Sequence, residues 1–130
     1  FIEQREFKFH PLVQSLKPFG FMDYNQLQMN SYCVLSDSGT LSEESAILNF
    51  QGVLIRTSTE RPEVLDTGTV VIGGIKGQDV EQAIELAVSM KENNEEVVLP
   101  PDYVDINVSV KVVKLIQSYT HIVNKTVWGK

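Results

Sequence analysis

A single cysteine in 130 residues removes any internal disulfide framework. Cys33 lies in the apolar stretch Tyr32-Cys33-Val34-Leu35, where a small thiol reads as a buried packing group. That usage suits a reducing cytoplasm and is hard to square with a mature exported protein. No apolar run approaches the ~20 residues of a membrane span, and eight glycines and five prolines are too few for a collagen-like or low-complexity chain. Basic residues are scarce too: 11 against 17 acidic ones give a net charge of −6. They are scattered rather than striped, so nucleic-acid binding has no electrostatic footing. His10 and His121 lie far apart, and no His/Cys/Asp spacing suggests a metal site. What remains is one soluble domain, 42% hydrophobic and 22% charged, too short for two independent cores. The chain begins at Phe1 without Met or a secretory pattern, which reads as a piece of a longer cytoplasmic protein.

The apolar pattern alternates between two periods. The first thirty residues, punctuated by Phe7, Phe9, Pro11, Pro18, Phe19, Gly20 and Phe21, read as strand and loop, with one or two helical turns over Tyr24–Asn30 and Asn25 as their cap. Cys33 to Ser36, Val53-Leu54-Ile55 and Thr69-Val70-Val71-Ile72 are short apolar runs of the kind buried on both faces of a parallel sheet. Between them, helices are expected over Leu41–Phe50 and from Pro62. A third begins near Gln78-Asp79, carries Val80, Ala83, Ile84, Ala87 and Val88 on one face, and ends at Asn93-Asn94. Val97 to Pro101 reads as an extended break. A last helix, capped by Asp105 or Asn107, carries Val112, Val113, Ile116, Tyr119 and Val123 on one side, with Tyr119 and Trp128 as packing anchors. Short apolar strands alternating with helices predict a three-layer α/β domain with a mostly parallel sheet. Ligands of such sheets bind at the carboxyl ends of the strands.

Two strand-to-helix turns carry the chemistry. A helix beginning after Asp37-Ser38-Gly39-Thr40 presents free backbone N–H groups and a partial positive charge, which suits a phosphate or diphosphate. Gly39 permits close approach, and Ser38 and Thr40 add hydroxyls. Glu43 and Glu44 are about 100° apart around a helix and serve different faces. Thr40-Leu41-Ser42-Glu43 fits a capping box in which Glu43 reaches back, whereas Glu44 is either a solvated residue or a carboxylate for the vicinal hydroxyls of a ribose or sugar. In the second turn, Thr57 to Glu63, Arg61 either forks onto phosphate oxygens or pairs with Glu60 or Glu63. No nucleophile is paired with a base. His10 reads as a loop residue and His121 as a favourable charge near a helix C-terminus.

The pair Ser36-Asp37-Ser38-Gly39-Thr40-Leu41-Ser42-Glu43-Glu44 and Arg56-Thr57-Ser58-Thr59-Glu60-Arg61-Pro62-Glu63 resembles the signature of the non-hydrolysing UDP-N-acetylglucosamine 2-epimerase family. Pro18-Phe19-Gly20-Phe21-Met22-Asp23-Tyr24 and the segment from Ser118 to Trp128 are similar to its capsule-biosynthesis branch, which includes UDP-N-acetyl-L-fucosamine synthases. The resemblance implies a Rossmann-like domain, residues 1–130, equivalent to the C-terminal half of a GT-B-like two-domain enzyme. It implies that Tyr24 stacks on uracil, that the backbone at Pro18 and Phe19 reads the base edge, and that Ser38 and Gly39 hold the diphosphate. Glu44 would then hold the ribose, with Arg61 near the phosphates and sugar. The turn departs from the commoner Ser-Gly-Gly, having Thr40 in third place. The family's reaction inverts C2 of a UDP-sugar by eliminating UDP to a 2-acetamidoglycal and adding it back. The resemblance places the carboxylates, arginine and histidine motif for that chemistry outside these residues, so the catalytic set here is empty. It further implies a homodimer completed by an N-terminal domain, with no metal and no nicotinamide. Two rival readings are the donor-nucleotide half of a GT-B glycosyltransferase and a non-catalytic α/β binding module, the latter disfavoured by any exposed apolar face around Ile116, Tyr119 and Trp128.

Overall fold

The computed structural model describes residues 8–93 and 98–130. Phe7, Asn94 and Val97, which figured in the sequence expectations above, lie outside them. In order come α1 (Phe21–Met29), β1 (Val34–Ser36), α2 (Leu41–Leu48), β2 (Gly52–Leu54), α3 (Glu63–Thr67), β3 (Val70–Ile72), α4 (Gly77–Glu92), a 3-10 turn (Pro101–Tyr103) and α5 (Val108–Thr126). The strands form a parallel sheet in the order β1-β2-β3, with Val34 beside Gly52 beside Val70, and Ser36 beside Leu54 beside Ile72. All three therefore end on the same edge of the domain.

The pleat sorts the core into two layers. Val34, Leu54, Val70 and Ile72 face α2 and α3, where Leu41, Phe50 and Val64 complete a buried cluster joined by Tyr103. Cys33, Val53 and Val71 face α4, packing on Ala83, Ile84 and Ala87. The expected three-layer α/β arrangement is thus present. Close approach fixes two glycines: a Cβ on Gly52 would stand 3.1 Å from Leu41 Cδ2, and one on Gly73 would stand 2.8 Å from Val53 Cγ1. The buried hydroxyls of Ser45 and Thr69 satisfy each other at 2.9 Å, joining α2 to the start of β3. α2 ends where Asn49 takes a left-handed φ of 55°.

Several local expectations are corrected. No strand occurs among described residues before α1, and α1 starts at Phe21 after an extended Gly20, so Asn25 is helical rather than a cap. Asn107 does precede α5, but in a left-handed conformation, φ 62°, without a side-chain cap bond. The periodicity of α5 is as expected, yet none of its residues is buried. Tyr119 is 57% exposed and Trp128 66% exposed, so neither is a packing anchor among the described residues. No helix among the described residues is long and apolar enough to cross a membrane.

Candidate functional site

The carboxyl edge of the sheet gathers the turns after β1 and β2. After Ser36 the chain closes a tight turn, the Ser38 amide donating to Ser36 Oγ at 3.0 Å, while the Ser38 and Thr40 hydroxyls meet at 2.9 Å. The amides of Leu41 and Ser42 bond back to the carbonyls of Ser38 and Gly39 at 3.3 and 3.2 Å. Those of Gly39 and Thr40 find no acceptor among the described residues. Ser38 and Thr40 are exposed and Gly39 is half-buried, so the corner is open to solvent and not sealed by its own side chains. Two unpaired N–H groups at a helix start form a ready anion seat.

The capping box is replaced by an ion pair. Thr40 is already helical, φ −67° and ψ −17°, and its side chain makes no cap bond. Glu43 turns instead to Arg61, whose Nε donates to Glu43 Oε1 at 2.6 Å. A charge-assisted bond to a guanidinium outcompetes a bond to a backbone amide. Arg61 Nη1 also donates to the Glu60 carbonyl at 3.3 Å, so Arg61 pairs with Glu43 rather than with the carboxylate of Glu60 or Glu63. The Glu43 carboxylate, first by hydrogen bond and then by charge, raises the Arg61 pKa above its ordinary value.

Glu44 points elsewhere, as its 100° offset requires. Its Oε2 accepts the Gln28 Nε2 at 2.7 Å, joining α2 to α1. Phe21 and Asn25 of α1 and Glu43, Glu44, Ile47 and Leu48 of α2 line a shallow apolar groove between the two helices. Tyr24 is on α1 one turn before Gln28 and is 40% exposed. Pro18 and Phe19 lie in the irregular segment that leads into α1. Phe19 lines a separate depression with Asp23, Gln26, Leu27 and Asn30. Ser38, Gly39 and Glu44 are thus gathered at the start of α2, Tyr24 stands on the neighbouring helix, and the Phe19 side chain lies on another face of α1.

Two residues were given no individual role by the sequence. Arg56 lies two residues beyond the end of β2, and a Cβ on Gly39 would stand 3.9 Å from its Nη1, placing a guanidinium against the β1–α2 turn. Its fork is held by Glu60 at 3.0 and 2.8 Å, which lowers the Glu60 pKa below the usual carboxylate range. Position at a strand's carboxyl end, next to the β1 turn in a parallel sheet, was the available signal. The other is Gln28, 3% exposed, for which apolar periodicity gives no signal. Cys33 is half-buried and burial pushes its thiol pKa up, in keeping with a packing role. No group of three or more His, Cys, Asp or Glu residues that could hold a metal ion occurs among the described residues.

Comparison with known proteins gives this geometry a context. Residues 2–117 match the family model described as UDP-N-acetylglucosamine 2-epimerase. A UDP-N-acetylglucosamine 2-epimerase of Methanococcus maripaludis is 34% identical over 74 residues, 57% of this chain and 20% of that protein. One from Methanocaldococcus jannaschii is 30% identical over 62% of this chain and 22% of its own length. The solved UDP-N-acetylglucosamine 2-epimerase of Rickettsia bellii superposes with a TM-score of 0.80 at 44% identity, covering 88% of this chain and 32% of that one. The Neisseria meningitidis enzyme bound to UDP-GlcNAc gives 0.57 at 28% identity, over 65% of this chain and 24% of its own. The chain therefore spans about a fifth of the curated relatives and a third or less of the solved ones. With 116 of its 130 residues inside that match, the chain belongs to the UDP-N-acetylglucosamine 2-epimerase family.

Proposed function

We propose that this chain is the nucleotide-binding domain of a UDP-N-acetylhexosamine 2-epimerase, serving capsule or surface-polysaccharide precursor synthesis in the cytoplasm. The observation that carries the reading is the open turn at Ser38–Thr40, with two unpaired amides at the carboxyl edge of a parallel sheet, in a chain of this family. In this reading the amides and the Ser38 hydroxyl receive the diphosphate, Glu44 receives the ribose hydroxyls, and Tyr24 stacks on the base beside the Pro18-Phe19 backbone. Arg56 adds positive charge at the turn. Arg61 belongs to the set through the resemblance, and its contact with phosphate requires exchange with Glu43. The stabilisation of a departing diphosphate is what such a seat contributes to elimination and re-addition.

The base that removes the C2 proton is assigned to a second, N-terminal domain, so these 130 residues alone are expected to bind UDP without epimerising its sugars. The exposed apolar residues of α5, Ile116, Tyr119 and Trp128 among them, are given to packing against the remainder of a longer, dimeric enzyme. That exposure disfavours a self-sufficient binding module, and the family match disfavours a glycosyltransferase half. Calorimetric titration with UDP and UMP tests the proposal. Binding of UDP that weakens in Glu44→Ala is expected; absence of binding, or affinity indifferent to Glu44, would overturn it.

A further inference from the structure

Gln28 poses a question that packing does not answer. It is 3% exposed on a nine-residue helix, and its Oε1 is buried without a donor among the described residues. A methionine of similar volume would fill the space with no stranded carbonyl, so burial by itself argues against an amide here. What the amide does is donate: an ionised carboxylate only accepts, so the nitrogen end must face Glu44, and it does so at 2.7 Å. This is the only side-chain hydrogen bond or ion pair joining α1 to α2 among the described residues.

Spacing on α1 gives that bond its meaning. Tyr24 and Gln28 are four residues apart and share a helix face, with Phe21 and Asn25 beside them. The same helix face thus carries the aromatic assigned to the base and the amide that grips the carboxylate assigned to the ribose. Base and ribose are rigidly adjacent in a nucleoside, so the two protein groups must keep a fixed separation.

We infer that Gln28 is a positioning residue: it takes up one oxygen of Glu44, leaves the other for a ribose hydroxyl, and couples the ribose carboxylate to the helix that carries Tyr24. The inference rests on the ribose role proposed for Glu44. It makes Gln28 a determinant of selectivity for ribonucleotides over 2′-deoxyribonucleotides.

The test titrates the full chain with UDP and with 2′-deoxy-UDP. The parent protein is expected to prefer UDP by about tenfold, the worth of a hydrogen bond to a charged group. Gln28→Met, which keeps the volume, is expected to abolish most of that preference while leaving affinity for 2′-deoxy-UDP unchanged. Gln28→Leu, which likewise cannot donate and adds no charge, is expected to do the same. A purely structural role would weaken both ligands alike. Preference retained in both variants, or an equal loss for both ligands, overturns the inference. Glu44→Ala separates the two layers of argument: if it abolishes the preference and the Gln28 variants do not, only the Gln28 role falls. If Glu44→Ala leaves the preference intact, or the parent binds no UDP, the ribose reading falls and takes the inference with it.

Discussion

The guanidinium of Arg61 reaches Glu43 across 2.6 Å, fastening the connection that follows β2 to the first turn of α2. Eighteen residues separate the two in sequence, and it is the parallel pairing of β1 with β2 that brings their following turns side by side. The other carboxylate oxygen of Glu43 is buried without a partner among the described residues. Arg61→Ala should therefore leave a partly buried carboxylate uncompensated. Because the Arg61 and Glu43 side chains are 42% and 31% exposed, solvent screens the pair and only a small loss of stability is expected, read as a slight lowering of the urea midpoint.

Arg56 offers a separate test of the anion seat. Its removal in Arg56→Ala should weaken UDP by roughly tenfold, the loss of a charge-assisted contact, and leave uridine binding untouched. The salt dependence of UDP affinity should flatten in parallel. Equal weakening of uridine would place the effect on the fold rather than on the diphosphate.

The two core layers respond to opposite changes of volume. Phe50 is fully buried in the α2 layer, and Phe50→Ala should cost about 3–5 kcal/mol. On the α4 side, Gly73→Ala would force a methyl to within 2.8 Å of Val53 Cγ1, an overpacking expected to cost about 1–3 kcal/mol. Chemical denaturation measures both.

Tyr103 ties the 3-10 turn to α3 by donating to Glu63 Oε1 at 2.8 Å. Burial first, then that hydrogen bond and the nearby Glu43 and Glu63 charges, raise its pKa well above the ordinary tyrosine value. A raised pKa favours the folded protein fully below the unfolded value near 10 and loses that contribution as pH climbs toward the folded value. Thermal melts should thus show stability declining above about pH 10, and Tyr103→Phe should flatten the decline. The lowered pKa values of Glu60 and Glu63 act in the other direction, their contribution fading as pH drops below the ordinary glutamate range.

Much of this architecture was legible in the residues. Val53-Leu54, Val70-Val71-Ile72 and the Val80 to Val88 stripe declare strands and a helix through period alone, and the strand-to-helix turn at Ser38 follows from them. Partnership over distance was not legible. Glu43 had a capping role available three residues away, and Arg61 had Glu60 and Glu63 at hand, yet the crossover geometry preferred a mutual bond. Gln28 is polar in a short helix, and a reading based on apolar spacing turns such a residue outward; only the carboxylate on the next helix turns it in. The start of α1 carried no signal because Gly20 caps it by backbone conformation, with no side-chain acceptor.

None of the nineteen residues of α5 is buried, so their helical order draws chiefly on local propensity, to which Val108, Val110, Val112 and Val113 contribute little. Amide hydrogens along this segment should exchange far faster than those of α4, whose inner face is covered by the sheet. Slowed exchange confined to Val108–Thr126 would therefore act as an intrinsic reporter of docking, visible before any catalytic assay.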